Sequence, residues 1–290
     1  MCFALDVKPI YIDDLDDPRI ADYRDVRDAD LRRQRGLFMA EGRFVVDLLL
    51  GRRSTRVADS LFLNPKSLEA LSGALSEARS ELPVYVAKQE LFNDVVGFNM
   101  HRGCLAVGRV GDPVKPGVLL ESAGEPSLLV VVECLRNTEN LGGIFRNAMA
   151  FGADGVLLCP QTCDPLYRKA IRVSMGGSLC VPFARFDSWP EPLQELRSAG
   201  YQVLALDLAD DALSLSDLGT RVPLANRVAL LLGTEGRGVS EDALSQVDGS
   251  VRIPMAPGVD SLNVSTAAGI AIHHVYAHQQ SATPTPETET

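Results

Sequence analysis

The sequence predicts an α/β protein whose C-terminal half is built on a parallel sheet covered on both faces. Length is the first observation behind that expectation: 290 residues exceed the roughly 150 of one domain and favour two. Composition is the second, because 46% apolar and 23% charged residues supply ample material for a core. The third is the pattern from residue 128 onward. Short apolar runs recur there, LLVVV at 128–132, GVLLC at 155–159, YQVLAL at 201–206, RVALLLG at 227–233 and SVRIP at 250–254, with helical patterns between them. Continuous apolar strands of this length are what a parallel sheet buried on both faces requires.

Taken in order, residues 1–112 mix charged helical stretches with short strand-like runs and form the first expected domain. Gly, Pro and acidic residues concentrate in GDPVKPGVLLESAGEP at 111–126, so 113–126 is expected to be a linker. The second domain then spans 127–280. The final SATPTPETET, 281–290, offers a core only one Ala and is expected to be a disordered tail. No internal repeat is present.

A formal net charge of −10 gives the chain no bulk attraction to phosphate, so any nucleic-acid contact must use local basic patches. Between Arg19 and Arg56, ten arginines stand against six acids. Before Arg32 the i,i+4 pairs Arg24 with Asp28 and Asp28 with Arg32 read as a solvated helix. Arg52, Arg53 and Arg56 have no acids interleaved and are the stronger phosphate-contacting candidates. No apolar run approaches the ~18 residues of a membrane span. The N-terminal MCFALDVKPIYIDDLDD lacks the features of a signal peptide, and a cytoplasmic location is expected. Six scattered cysteines without a C-x-x-C pair read as small buried hydrophobes in a reducing compartment. His274 and His278 share a helix face, but no further ligand is spaced nearby, so no metal is expected.

Three segments carry candidate chemistry. In NTENLGGIFRNAMAFGADGVLL, 137–158, Asn140 is expected to cap a helix beginning at Leu141, with Leu141, Ile144, Phe145 and Ala148 on its apolar face. Gly142 and Gly143 lower helix propensity, which implies a close approach by something else. Arg146 lies off the apolar stripe and by itself reads as a surface arginine. In LLLGTEGRGVS, 230–240, a buried strand runs into a Gly-rich turn carrying Glu235. The spacing of Gly233, Gly236 and Gly238 meets neither the dinucleotide nor the P-loop fingerprint, although a Gly-rich strand end is a usual ligand crevice. In IPMAPGVDSLNVSTAAGIAIHHVYAH, 253–278, a Pro/Gly loop leads to a helix with Val264, Ala268, Ala271 and Val275 on one face. Ser261 and Asn263 stand at its N-terminus, as caps or as holders of an anion.

In this order, N-L-G-x-x-x-R-x-A-x-x-F-G, L-G-T-E-G-x-G-x-S, and I-P-M followed by S-L-N-V-S-x-A-A resemble the three motifs of the SpoU (TrmH) family. Its members are RNA ribose 2′-O-methyltransferases of the SPOUT superfamily, and the resemblance covers roughly residues 128–278. EGRFVVDLLL at 41–50 and HRGCLAVG at 101–108 resemble the L30e-like substrate-binding domain that many members carry. Periodicity alone gives an open doubly wound sheet; the resemblance implies instead a SPOUT domain with a C-terminal trefoil knot, preceded by a smaller L30e-like α/β domain. It implies S-adenosylmethionine as cofactor, contacted by Gly233, Ile253 and Leu262, and a homodimer packed through the methyltransferase domains. Arg146, Asn140, Glu235, Ser261 and Asn263 would form the catalytic set. Within CDPLYRKAIRVSMGGSL at 163–179, Arg168, Lys169 and Arg172 are implied RNA contacts. Ribosomal RNA is the first choice of substrate and transfer RNA the second. Arg136-Asn137-Thr138-Glu139 departs from the Asp-Pro of many relatives.

In the implied reaction a ribose 2′-hydroxyl attacks a methyl group, and Arg146 is the family's catalytic arginine. A guanidinium with a pKa of roughly 12.5 or above stays protonated. Stabilising a developing alkoxide and gripping the adjacent phosphate suit it better than acting as a base. Two other classes compete. A binding-only RNA protein retaining the SPOUT fold would be expected to lack Arg146 or Asn263, and a nicotinamide enzyme would be expected to show the glycine fingerprint.

Overall fold

A computed structural model describes residues 7–24, 28–97 and 103–282. They fall into two units, one of residues up to Asp112 together with Asp164–Cys180, the other of Pro113–Cys163 together with the residues from Val181 onward. His101 and residues 283–290 of the expected tail lie outside the described residues.

The first unit is built on a mixed sheet of β1 (Ile10–Tyr11), β2 (Leu37–Glu41), β3 (Val57–Leu63), β4 (Val84–Val86) and β5 (Cys104–Arg109). Their order is β1-β4-β3-β5-β2, with β5 antiparallel to both of its neighbours. Its core stacks Phe62 on Phe92 at 4.5 Å, and the buried Tyr23 hydroxyl is satisfied by Ser60 Oγ at 2.7 Å. Burial drives the Tyr23 phenol well above its ordinary pKa.

The segment 164–180, expected in the second domain, packs into this first unit. Arg32 Nε donates to Asp164 Oδ2 at 2.8 Å, Arg168 N donates to Asp28 Oδ2 at 2.9 Å, and Thr55 N donates to Leu179 O at 2.8 Å. These bonds replace the expected i,i+4 pairs. The helix spans Asp28–Arg35, so Arg24 is not on it and instead meets Asp16. Asp28 and Arg32 are each taken by a partner from the returning segment.

In the second unit β6 (Ser127–Val132), β7 (Gly155–Leu158), β8 (Phe183–Arg185), β9 (Gln202–Leu206), β10 (Leu213–Ser214), β11 (Arg227–Leu232) and β12 (Gly249–Arg252) form one sheet. Its order is β10-β12-β9-β11-β6-β7-β8, parallel throughout. All five expected strands are present; β8 and β10 are additional. Burial follows the strand period of two. Leu128, Val130 and Val132, with Val228, Leu230 and Leu232, face the helices Thr138–Ala150 and Val264–Ala282. Leu129, Val131, Ala229 and Leu231 face the opposite layer with Leu193, Leu196 and Ala243. Helix burial follows the expected faces: Leu141, Ile144, Phe145 and Ala148 are buried on the first, and Ala268, Ala271 and Val275 on the second, where Val264 is half-buried against the same core.

Two local expectations change. The segment 113–126 is not a bare linker, because Pro116–Ser122 is helical and places Leu119 in the core of the second unit. The C-terminal helix continues to Ala282, past the expected domain limit at 280. His274, half-buried on that helix, bonds Leu218 O through Nε2 at 2.8 Å. Among the described residues no helix is long and apolar enough to cross a membrane, and no group of three or more His, Cys, Asp or Glu is arranged to hold a metal ion.

Candidate functional site

The carboxyl ends of β9, β11 and β12 open onto a cavity of about 580 Å³. Its floor is apolar, with Leu206, Leu232, Val251 and Ile253, and its mouth carries polar groups from the second and third motifs. Such a combination of size and lining is usual for a nucleoside-sized ligand, since sites of this kind hold about 300–1,000 Å³.

The second-motif loop forms one wall. Thr234 and Gly238 pair as a tight antiparallel bridge, with N–H to O distances of 2.9 and 3.0 Å in the two directions. Gly236 and Gly238 adopt φ of +85° and +67°, which L side chains rarely take. Gly233 is required for a different reason: a Cβ there would lie 2.1 Å from the Gly238 carbonyl. The glycine spacing therefore encodes a turn that folds back on its own strand end.

Asn140 is not the cap of its helix. Asn137 is, its Oδ1 accepting from Glu139 N at 2.9 Å and Asn140 N at 3.4 Å, so the helix begins at Thr138. That frees the buried Asn140 side chain for a longer-range task. Its Nδ2 donates to Glu235 Oε1, and its Oδ1 accepts from Asn263 Nδ2 at 2.9 Å. Asn263 Oδ1 in turn accepts from Ser265 N at 3.0 Å and Thr266 N at 3.3 Å, capping the C-terminal helix as expected. One chain of hydrogen bonds thus joins the three motifs at the cavity mouth. The close approach implied by the helix glycines comes from the protein itself: a Cβ on Gly143 would lie 2.6 Å from Ser265 Cβ.

Gly233, Glu235, Ile253, Ser261, Leu262 and Asn263 all line the cavity, and Asn140 is bonded to two of them. Arg146 does not line it. It is exposed one turn beyond Gly143, and its side chain makes no hydrogen bond or ion pair among the described residues. Asp207, Asp260 and Arg237 also line the cavity and were missed in the sequence. Asp207 carried a usable signal, an acid directly after a buried strand. Just after β6, Cys134 has φ of 49°, and burial and the Cys159 thiol 3.6 Å away push its own thiol up to about 12.

The basic candidates belong to the first unit and divide into two groups. Arg56 is half-buried, its Nη1 donating to Val110 O at 2.5 Å, and burial lowers its pKa. Arg168 lies 3.7 Å from Asp28. Arg56 and Arg168 are thus half-buried and engaged within the fold; Arg52, Arg53, Lys169 and Arg172 are exposed at the surface.

A parallel α/β layer with a glycine-walled cavity at its strand ends defines the class, and solved structures identify it. The chain matches the AdoMet-bound rRNA methyltransferase of Sinorhizobium meliloti with a TM-score of 0.76 and 25% identity, over 93% of this chain and 98% of that one. It matches the SpoU methyltransferase AviRb of Streptomyces viridochromogenes with a TM-score of 0.73 and 21% identity, over 91% and 98%. In sequence, a tRNA/rRNA methyltransferase of Mycobacterium tuberculosis, itself uncharacterised, is 40% identical over 275 residues, 93% of this chain and 92% of that protein. The profile described as the SpoU rRNA Methylase family matches residues 127–273. The chain belongs to that family and is an RNA methyltransferase.

Proposed function

We propose that the protein is a cytoplasmic, S-adenosylmethionine-dependent enzyme that methylates a ribose 2′-hydroxyl, with ribosomal RNA as substrate ahead of transfer RNA. The observation that carries this reading is the Asn140–Glu235–Asn263 network at the mouth of the cavity. The cavity fits the cofactor in size and character: an apolar floor for adenine, and backbone at Gly233, Ile253 and Leu262 for its polar edge. When bound, S-adenosylmethionine supplies an electrophilic methyl group.

The protein's own contribution is to position and to stabilise. Asn140 and Asn263 fix each other, so that the start of the C-terminal helix and the first-motif helix present one edge to the substrate. Glu235 holds Asn140. Arg146, exposed and unengaged, is available to a ribose–phosphate backbone, where a fixed positive charge lowers the energy of the alkoxide forming at the 2′-oxygen. Ser261 sits in the loop beside Leu262, within reach of the same ligand edge.

The trefoil knot and the L30e-like character of the first unit belong to this proposal, as does a homodimer through the methyltransferase units. Supporting the dimer, Ile270 and Tyr276 are exposed on the C-terminal helix, 40% and 36%, and Phe151 packs its ring against His273 and Tyr276. Exposed Arg52, Arg53, Lys169 and Arg172 of the first unit suit phosphate contacts.

The test is methyl transfer from labelled cofactor to purified ribosomal and transfer RNA, with nuclease digestion to identify the methylated nucleoside. Label in a 2′-O-methylnucleoside of one RNA supports the reading; label on a base, or none, refutes it. Arg146→Ala should lower turnover by about 10²–10³-fold with cofactor affinity retained. Substantial residual activity would remove Arg146 from the role.

A further inference from the structure

At the end of the apolar strand β6 stands a carboxylate. Glu133 is only 3% exposed, and burying a charge is costly unless it is well bonded. Its partners are few and specific. Oε1 accepts from Trp189 Nε1 at 2.7 Å and from Ser240 Oγ at 2.6 Å, and Oε2 accepts from Ser240 N at 2.9 Å. The Glu133 backbone N–H donates to Leu232 O at 2.9 Å.

These bonds hold both ends of the second-motif loop. Leu232 is the last residue before Gly233, and Ser240 is the first after Val239. Ser240 is itself fixed as a helix cap, its Oγ accepting from Ala243 N at 3.3 Å. Between the two anchors lies Glu235, which holds Asn140, and the glycine turn that walls the cavity. The Glu133 carboxylate neither lines the cavity nor bonds a member of the catalytic set, so its influence on the reaction passes through the loop.

We propose that Glu133 is a positioning residue for methyl transfer: through Ser240 it sets the second-motif loop, and with it Glu235, Asn140 and the cavity wall. The proposal rests on reading the cavity as the S-adenosylmethionine site. A carboxylate is the group required, because both of its oxygens must accept. In Glu133→Gln one acceptor becomes an NH2 donor; either the Ser240 N–H or the pair at Oε1 then faces a donor, and the loop must shift.

The experiment compares wild type, Glu133→Gln, Ser240→Ala and the double variant. Calorimetry gives Kd for S-adenosylmethionine, steady-state assays give kcat and the KM for RNA, and circular dichroism monitors folding. Glu133→Gln should stay folded and weaken cofactor binding by about 10- to 100-fold, the effect of leaving one buried donor unsatisfied. It should lower kcat and leave the KM for RNA about unchanged. The double variant should be about as impaired as the worse single variant, because both substitutions cut one link. Wild-type Kd and kcat in Glu133→Gln, measured well below its melting temperature, would reduce Glu133 to a structural residue and overturn the proposal. Independent, additive losses would overturn the route through Ser240. Failure of the wild type to bind the cofactor, with or without RNA, would instead overturn the reading of the cavity, before any variant is considered.

Discussion

Gly143 offers a quantitative check on how tightly the first-motif helix is seated. It lies inside Thr138–Ala150, where replacing Gly by Ala ordinarily improves helix propensity by about 1 kcal/mol. Here the added Cβ would lie 2.6 Å from both Ser265 Cβ and Ser265 Oγ, roughly 1 Å inside the ~3.5–4.0 Å of a favourable contact. Ser265 has little room to yield. Its carbonyl accepts from Asn147 Nδ2 at 2.7 Å, and one turn on, a Cβ on Gly269 would meet that same amide at 2.9 Å. Relief therefore requires the two helices to part. Overpacking of this kind costs about 2–3 kcal/mol in a well-packed seam, and subtracting the propensity gain leaves Gly143→Ala destabilised by about 1–2 kcal/mol. Urea unfolding followed by circular dichroism reads this as a lower midpoint at unchanged slope. Activity should fall further than stability alone explains, since parting the helices stretches the 2.9 Å bond between Asn263 and Asn140. Adding Ser265→Gly removes the obstructing atoms, and the cycle should show a compensating coupling of about 1–2 kcal/mol. A Gly143→Ala variant more stable than wild type, or a coupling of zero, would refute a tight seam.

The cavity wall and the buried thiols give further checks. Gly233→Ala meets backbone that cannot rotate away, at 2.1 Å from the Gly238 carbonyl, whereas Gly236→Ala meets no atom within 4 Å and is penalised only through its φ of +85°. The first should abolish cofactor-induced thermal stabilisation, and the second should cost about 1–2 kcal/mol with binding retained; equal behaviour would contradict the described turn. Burial pushes the Cys104 thiol from an ordinary 9.0 up to about 12. The folded state holds that proton more tightly than the unfolded one, so the associated stability is complete below about pH 9 and is lost as pH rises towards 12. Iodoacetamide at pH 9, followed by mass spectrometry, should alkylate Cys104 far more slowly in native protein than in urea.

Much of the second unit was legible because its signals are local. Leu128–Val132 and Val228–Leu232 are unbroken apolar runs, and only a strand with both faces covered accommodates such runs. Leu141, Ile144, Phe145 and Ala148 repeat at helical spacing within one turn or two, so their shared burial follows from the period alone. By contrast β10 has two residues and β8 three, too few for any periodicity to register. The segment 113–126 read as a linker because its Gly and Pro content masked the apolar residues, of which Leu119 enters the core.

Sequence by itself thus determined the class of the protein, the strands of its parallel sheet and the residues that collect around the cavity, since motif order and apolar periodicity are carried by neighbours in the chain. Only the tertiary structure decided what several of those residues do. Asn140 looked like a helix cap and became the link to Glu235, 95 residues away, and to Asn263, 123 residues away. Arg168, a candidate RNA contact, has its backbone N–H held by Asp28 across 140 residues, in a segment that leaves the unit its neighbours build. A side chain that can cap, pair or face solvent with similar local energy is assigned by the partner that folding brings beside it, and no local pattern names that partner.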